Sequence, residues 1–122
     1  MESNSNKVIL ITGDRNWTDR EKIHKVLTEF DPATTILIEG GARGADRLGR
    51  EEGEKLGFHV LTMKADWKRY GKAAGPIRNR EMYNKGHPDL VLAFHSNLAL
   101  SSGTKDMINV AIEGGTPFRL TT

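Results

Sequence analysis

Glu39-Gly40-Gly41-Ala42-Arg43-Gly44-Ala45-Asp46 is the stretch whose residue types and spacing best suit chemistry, a glycine-rich turn that leaves one apolar run and opens a helical one. Glycines let backbone N–H groups approach an anion closely, and a helix that follows them offers unpaired N–H groups and the positive end of its dipole. The chemistry implied is phosphate binding. The spacing Gly-Gly-x-x-Gly is not the dinucleotide fingerprint, and no Gly-Lys-Ser/Thr follows to make a P-loop. A tight strand-to-helix turn with no ligand would use the same residues. Inside the turn, Arg43 could clamp a phosphate by paired hydrogen bonds or stay solvated. Asp46 could contact a ribose or merely stabilise the helix dipole.

Other polar residues stand at comparable points. Gly13, Asp14 and Arg15 end the first apolar run, where polar groups face a cleft, although an Asp14–Arg15 ion pair holding the loop is the alternative. Arg78 and Asn79 fall in the first turn of a helix after a glycine-punctuated segment, within reach of an anionic ligand, whereas Arg80 and Lys85 read as a solvated face. Gly103 and Thr104 open the last helix, and the Thr104 hydroxyl could donate to a phosphate oxygen or cap that helix. Trp67 and Tyr70 could stack on a base, but Trp67 is expected to anchor its loop to the body. His95, alone at a strand end, reads as a polar loop residue rather than a catalytic base.

The elements that position these residues alternate. Lys7-Val8-Ile9-Leu10-Ile11-Thr12 is a continuous apolar run, the pattern of a central strand buried on both faces of a parallel sheet. Thr18-Asp19-Arg20-Glu21 has the form of a capping box, followed by Ile23, Val26, Leu27 and Phe30 on one helical face. Thr35 to Ile38 is the second strand, and a helix runs from Gly44 to Leu56 with Gly57 as its left-handed terminator. Phe58 to Met63 is the third strand. Lys64 to Gly75 lacks sheet or helix periodicity and reads as a long functional loop. Pro76 suits the first turn of a helix through Asn84, closed by Lys85-Gly86 and stopped by His87-Pro88. Asp89 to Phe94 is the fourth strand, and His95 to Ser102 leads to a helix through Ile112 capped near Gly114-Gly115. Thr116 to Leu120 is the last strand.

Strands alternating with helices predict an α/β protein, a single Rossmann-like three-layer domain with a mainly parallel sheet of about five strands. A polar N-terminal tail, residues 1–6, precedes a domain spanning residues 7–122. In such a sheet ligands bind beyond the carboxyl ends of the strands, and four loops fall there: Gly13 to Trp17, Gly40 to Asp46, Lys64 to Gly75 and His95 to Thr104. Their convergence strengthens the binding reading of the glycine turn.

Composition narrows the classes. The 122 residues, 37% of them hydrophobic, suffice for one domain with a core. A net charge of +2, from 18 basic and 16 acidic residues, supplies no basic arm, so nucleic acid is not an expected partner. With no cysteine, disulfides and thiolate sites are excluded; the four histidines are too scattered for a metal cluster, and no cofactor is called for. No apolar run approaches the ~20 residues of a membrane span, and the N-terminal residues are not signal-like, so no membrane association and a cytoplasmic location are expected.

Read together, Gly13-Asp14-Arg15-x-Trp17-x-Asp19, Gly40-Gly41-Ala42-x-Gly44-Ala45-Asp46, Ala65-Asp66-Trp67 with Gly71, Ala74-Gly75-Pro76-x-Arg78-Asn79 and Gly103-Thr104-x-Asp106-Met107 resemble the YspA-type branch of the SLOG superfamily. SLOG domains are Rossmann-like and are grouped with the LOG phosphoribohydrolases and the DNA-processing protein DprA. The resemblance implies a nucleotide-like ligand, of AMP or ADP-ribose type, bound at the glycine turn and sensed, carried or sequestered there. It also implies a homo-oligomer, since LOG relatives are dimeric. Arg78-Asn79-Arg80-Glu81-Met82 is similar to the LOG stretch Arg-Lys-x-x-Met, which aligns Arg78 with a functional arginine. Of the LOG pattern Gly-Gly-x-Gly-Thr-x-x-Glu only Gly103-Thr104 remains, and Met107 stands where the catalytic glutamate would fall. Asp106 is one residue earlier, about 100° away around the helix. N-glycosidic hydrolysis needs a carboxylate near the sugar, so the departure favours binding over a LOG-like phosphoribohydrolase using Arg78 and Asp106. DprA-like binding of single-stranded DNA is the remaining alternative.

Overall fold

A computed structural model of the chain describes residues 7–122; the polar segment 1–6 lies outside the described residues. The first apolar run forms β1 (Lys7–Gly13), whose Ile9, Leu10 and Ile11 are fully buried, as a strand covered on both faces requires. It pairs in parallel with β2 (Thr35–Glu39) on one side and β4 (Leu90–Phe94) on the other. β3 (His59–Thr62) and β5 (Phe118–Thr121) complete a five-stranded, all-parallel sheet of order β3-β2-β1-β4-β5. The central position expected for β1 is therefore observed.

Because successive side chains of a strand point to opposite faces, the sheet divides the core in two. Ile9, Ile11, Leu37 and Phe94 pack with Ile23 and Leu27 of α1 (Arg20–Leu27) and Ala45 of α2 (Ala45–Lys55). Leu10, Ile38 and Val91 pack on the other face with Met82 of α4 (Ala74–Gly86) and Met107, Val110 and Ala111 of α5 (Ser102–Glu113). The result is the three-layer Rossmann-like architecture.

Three local readings are corrected. The N-cap of α1 is Asp19, whose carboxylate accepts from the Lys22 N–H, rather than Thr18. Asp binds the orphan amides of a first turn at least as well as Thr. Within the segment read as a loop, Asp66 caps a single turn, α3 (Trp67–Tyr70), and Gly71–Ala73 form a 3-10 turn that runs into α4. One turn is too short to display a 3.6-residue period, so the capping aspartate was the available signal. Finally, α4 continues through Gly86, and His87, at φ 48°, takes the left-handed position that ends it.

α1 and α2 are clamped to each other by buried Glu52. Its Oε2 accepts from Arg20 (2.7 Å) and Lys55 (3.1 Å), and its Oε1 lies 3.1 Å from His24 Nδ1. The Arg20 hydrogen bond above all holds the Glu52 carboxyl down to about 2, so this clamp stays charged at any physiological pH.

Candidate functional site

The chain runs outward from β1 to β2 and β3, then returns to the other side of β1 to make β4 and β5, so the strand order reverses between β1 and β4. A crevice opens outside the carboxyl ends of two such neighbours because their connections leave in opposite directions. A cleft of about 460 Å³ lies there, lined by Thr12 to Asn16 at the end of β1 and just beyond it, Ala42, Arg43 and Asp46 from the glycine turn, Trp67, Lys72, Gly75, Pro76, Arg78 and Asn79 from the α3–α4 region, and His95 and Leu100 to Thr104 after β4. All four loops expected at this edge contribute. An adjoining lobe of about 420 Å³ shares Arg15, Arg43, Trp67 and Arg78 and passes over Gly40 and Gly41 to Lys64.

The glycine turn is built differently from the anion cradle its spacing suggests. The amides of Gly40 and Ala42 donate to Asp46 Oδ2 (3.2 and 3.3 Å), and that of Gly41 donates to Glu39 Oε1 (2.6 Å). Three amides expected to face a phosphate are thus satisfied by the chain's own carboxylates. Glu39 is fully buried at the end of β2, and its second oxygen accepts from the Thr62 hydroxyl. Arg78 closes the network from above, donating through Nη1 to Gly40 O (2.6 Å) and through Nε to Asn79 Oδ1 (3.1 Å). Burial, and then the charge of Glu39, push the Asp46 carboxyl up to about 7; burial also lowers the Arg78 guanidinium from its ordinary value. Near neutrality Asp46 therefore carries its charge only in part. The cleft lining thus sets Arg15, Arg43, Lys72 and Arg78 against Asp14 and a partly charged Asp46, with Glu39 buried beneath Arg78, an excess of positive charge suited to an anion.

Gly44 and Ala45 lie beneath the cleft rather than in its lining. Gly44 has φ 75°, and a Cβ there would sit 2.3 Å from Asp14 O and 2.4 Å from Arg15 C; a Cβ on Gly13 would sit 2.3 Å from Phe94 O. These two glycines let the loop after β1, the glycine turn and the end of β4 meet backbone to backbone. The Ala45 amide, which donates to Asp14 O (3.0 Å), ties the first two together.

On the far wall, Ser101 caps α5 by accepting from the Thr104 N–H (3.0 Å). Capping is therefore not the role of the Thr104 hydroxyl, which is buried in the lining without a partner among the described residues. The amides of Ser102 and Gly103, in the first turn, have no partner within the helix. Asn79 Nδ2 donates to Gly103 O (3.4 Å) and Asp106 Oδ2 (3.0 Å), stapling α4 to α5. Asp106, further held by Arg80 at 3.6 Å, is outside the cleft lining, and Met107 is fully buried in the core.

Trp67 rests its ring edge near Gly75 at the start of α4. Half of it is exposed, and the Arg15 guanidinium lies 5.9 Å from its ring centroid. Arg15 consequently lies over Trp67, while Asp14 lies near His95. His95, read as a polar loop residue, does follow β4 outside any strand or helix and is 6% exposed in the cleft floor. A histidine immediately after a buried apolar strand was the signal for it. Lys72, Leu100 and Ser102 carried no sequence signal, since only the fold brings them to this edge. Among the described residues no group of three acidic or histidine side chains is placed to hold a metal, and no helix is long and apolar enough to cross a membrane.

Comparisons with known proteins agree with this architecture. The solved structure of DNA processing protein A (DprA) from Streptococcus pneumoniae superposes with a TM-score of 0.58 at 15% identity; the match covers 94% of this chain and 58% of that one, and shows the fold alone. The Gene 61 protein of Mycobacterium phage D29 is 37% identical over 121 residues, covering 89% of this chain and 91% of the phage protein. The model of the family described as YspA, cpYpsA-related SLOG matches residues 7–70, from β1 through both glycine-bearing turns to α3. On that match and a relative aligned over nearly its whole length, this chain belongs to the YspA, cpYpsA-related SLOG family.

Proposed function

We propose that the protein binds a nucleotide or nucleotide-derived ligand, of AMP or ADP-ribose type, and senses, carries or sequesters it in the cleft between β1 and β4. Family membership supports a nucleotide-related binding fold in the broad sense. The observation that carries the finer reading is the unpartnered Thr104 hydroxyl, buried at the N-terminus of α5 within a cationic cleft. A buried hydroxyl without a partner costs about 1–3 kcal/mol, and the cost is recovered when a phosphate oxygen accepts from it. The ligand's phosphate then meets Thr104, the amides of Ser102 and Gly103, and Arg15 or Arg43. The phosphate loop is thus the turn at α5, with the first glycine turn acting as its opposite wall. The exposed indole of Trp67 and the 81% exposed Leu100 offer apolar surface for a base at the mouth.

The phosphoribohydrolase reading needs an acid near the sugar, and the engagement of Asp106 with Asn79 and Arg80 weighs against it. Against single-stranded DNA binding, which stacks successive bases on a series of aromatic side chains, the cleft lining offers Trp67 alone among Phe, Tyr and Trp.

Calorimetric titration with AMP and ribose 5-phosphate tests the proposal. Thr104→Val is expected to weaken both ligands about tenfold while leaving the fold as stable as before or more so, because an unsatisfied hydroxyl is removed. Trp67→Ala is expected to weaken AMP by about 1–3 kcal/mol and leave ribose 5-phosphate unchanged. Absence of heat with either ligand, or full affinity in the Thr104 variant, overturns the reading.

A further inference from the structure

The parallel register pairs Gly13 with Phe94, so the next residue of each strand, Asp14 and His95, emerges at the floor of the cleft side by side. The Asp14 amide donates to Phe94 O (2.8 Å) and the His95 amide to Thr121 O (3.0 Å), which fixes both backbones. The side chains are fixed as well. Asp14 Oδ1 accepts from the Asn16 N–H at 2.9 Å, leaving Oδ2 to face His95. His95 Nδ1 lies 3.0 Å from the Asn97 N–H. A backbone N–H can only donate, so Nδ1 is the acceptor and the proton of the neutral ring is on Nε2. Nε2 stands 4.0 Å from Asp14 Oδ2, too far for a direct hydrogen bond.

A fixed donor and a fixed acceptor at that separation match an O–H group, whether a bridging water's or a ligand hydroxyl's that takes its place. An oxygen about 2.8 Å from each atom, bent by about 90°, satisfies both when it can accept one hydrogen bond and donate another. Phosphate oxygens cannot donate in their ionised form, and carbonyl oxygens cannot donate at all; a hydroxyl does both. We infer that Asp14 and His95 form a hydroxyl-recognition site, in which a sugar hydroxyl of the bound ligand donates to Asp14 Oδ2 and accepts from the His95 Nε2–H. The inference rests on the nucleotide reading above and adds to it a chemical class: ribose is accepted and the matching deoxyribose rejected. The site discriminates because the His95 side chain is buried and that of Asp14 largely so, 8% and 23% exposed, and the analogue lacking the hydroxyl leaves both unpaired.

The test compares AMP, 2′-deoxy-AMP and 3′-deoxy-AMP by calorimetry. Wild-type protein is expected to bind one of the two deoxy ligands at least about tenfold more weakly than AMP. His95→Leu removes the donor. In Asp14→Asn the side-chain oxygen stays with the Asn16 amide and an NH2 faces His95, which removes the acceptor. In each variant the ratio between AMP and the discriminated deoxy ligand is expected to collapse to within about threefold, with affinity for the deoxy ligand itself nearly unchanged. His95→Gln, which keeps a donor near the Nε2 position, is expected to restore part of the ratio. Equal wild-type affinity for all three ligands overturns the hydroxyl site and leaves the nucleotide reading standing, as does an equal loss of all three in the variants. Failure of all three to bind wild-type protein overturns both.

Discussion

Replacing Gly44 with alanine is expected to cost the fold about 3 kcal/mol or more and to abolish ligand binding with it. Gly44 lies at φ 75° and ψ −127°, a conformation that residues with a β-carbon rarely adopt. The added carbon would meet Asp14 O and Arg15 C and O at 2.3–2.4 Å. These are backbone atoms, so no side chain can rotate away, and the loop that carries Asp14 and Arg15 must separate from the glycine turn. Denaturant unfolding checks this: the midpoint falls while the slope stays the same. Gly103→Ala is the contrasting variant. Nothing lies within 4 Å of its added carbon, and the position is helical, so its stability is expected to rise by about 0.5–1 kcal/mol. Equal stability of the Gly44 variant and wild type would mean that the two turns do not meet as described.

Asp46→Asn is expected to stabilise the protein above pH 7 and to leave it unchanged near pH 4. The Asp46 carboxyl is raised from 3.8 to about 7 by burial and by Glu39. Between those values the folded state binds a proton that the unfolded chain has released, so this group's contribution to stability falls as pH rises from about 4 to about 7. The shift corresponds to at most about 4 kcal/mol. Asparagine keeps an oxygen for the Gly40 and Ala42 amides and carries no charge to desolvate. Glu52 acts in the opposite sense and elsewhere: its carboxyl, lowered from 4.5 to about 2, adds stability above pH 4.5 that disappears only on acidification through about 2. Unfolding free energies of variant and wild type at pH 4.5 and pH 8 isolate the Asp46 contribution. A variant less stable than wild type at pH 8 would contradict the account. The partial neutrality of Asp46 also has a functional side, because an ionised carboxylate on this wall would repel an approaching phosphate.

The fold was legible because its signals are periodic and repeated. The apolar run Lys7 to Thr12 announced the central strand, and glycines at 57 and 115 ended helices at positive φ. A mainly parallel sheet followed from strand–helix alternation, and every pairing in the structure is parallel. Boundaries were missed where a single residue decides, as at Asp19, Asp66 and His87. The candidate site was legible as a set of loops and not as a set of contacts. Spacing located the glycine turn, but nothing in it says that Asp46 and Glu39 fold back onto the Gly40, Gly41 and Ala42 amides. Those carboxylates become acceptors because α2 and β2 bring them under the turn, which is tertiary information. Likewise Thr104 was open between a cap and a ligand contact until Ser101, three residues earlier, took the cap. His95 and Trp67 were each given a bland role by residue type alone. His95 is a loop residue but a buried one in the cleft floor, and Trp67 is half exposed at its mouth, neither of which residue type alone reveals.

The central claim is that phosphate is held at the start of α5 and not by the first glycine turn. Backbone amide chemical shifts during titration with AMP test it directly, since an N–H that takes up a phosphate oxygen moves strongly downfield. The account predicts the largest shifts at Ser102, Gly103 and Thr104, with little change at Gly40, Gly41 and Ala42. Largest shifts at those three turn residues, with α5 unmoved, would contradict it.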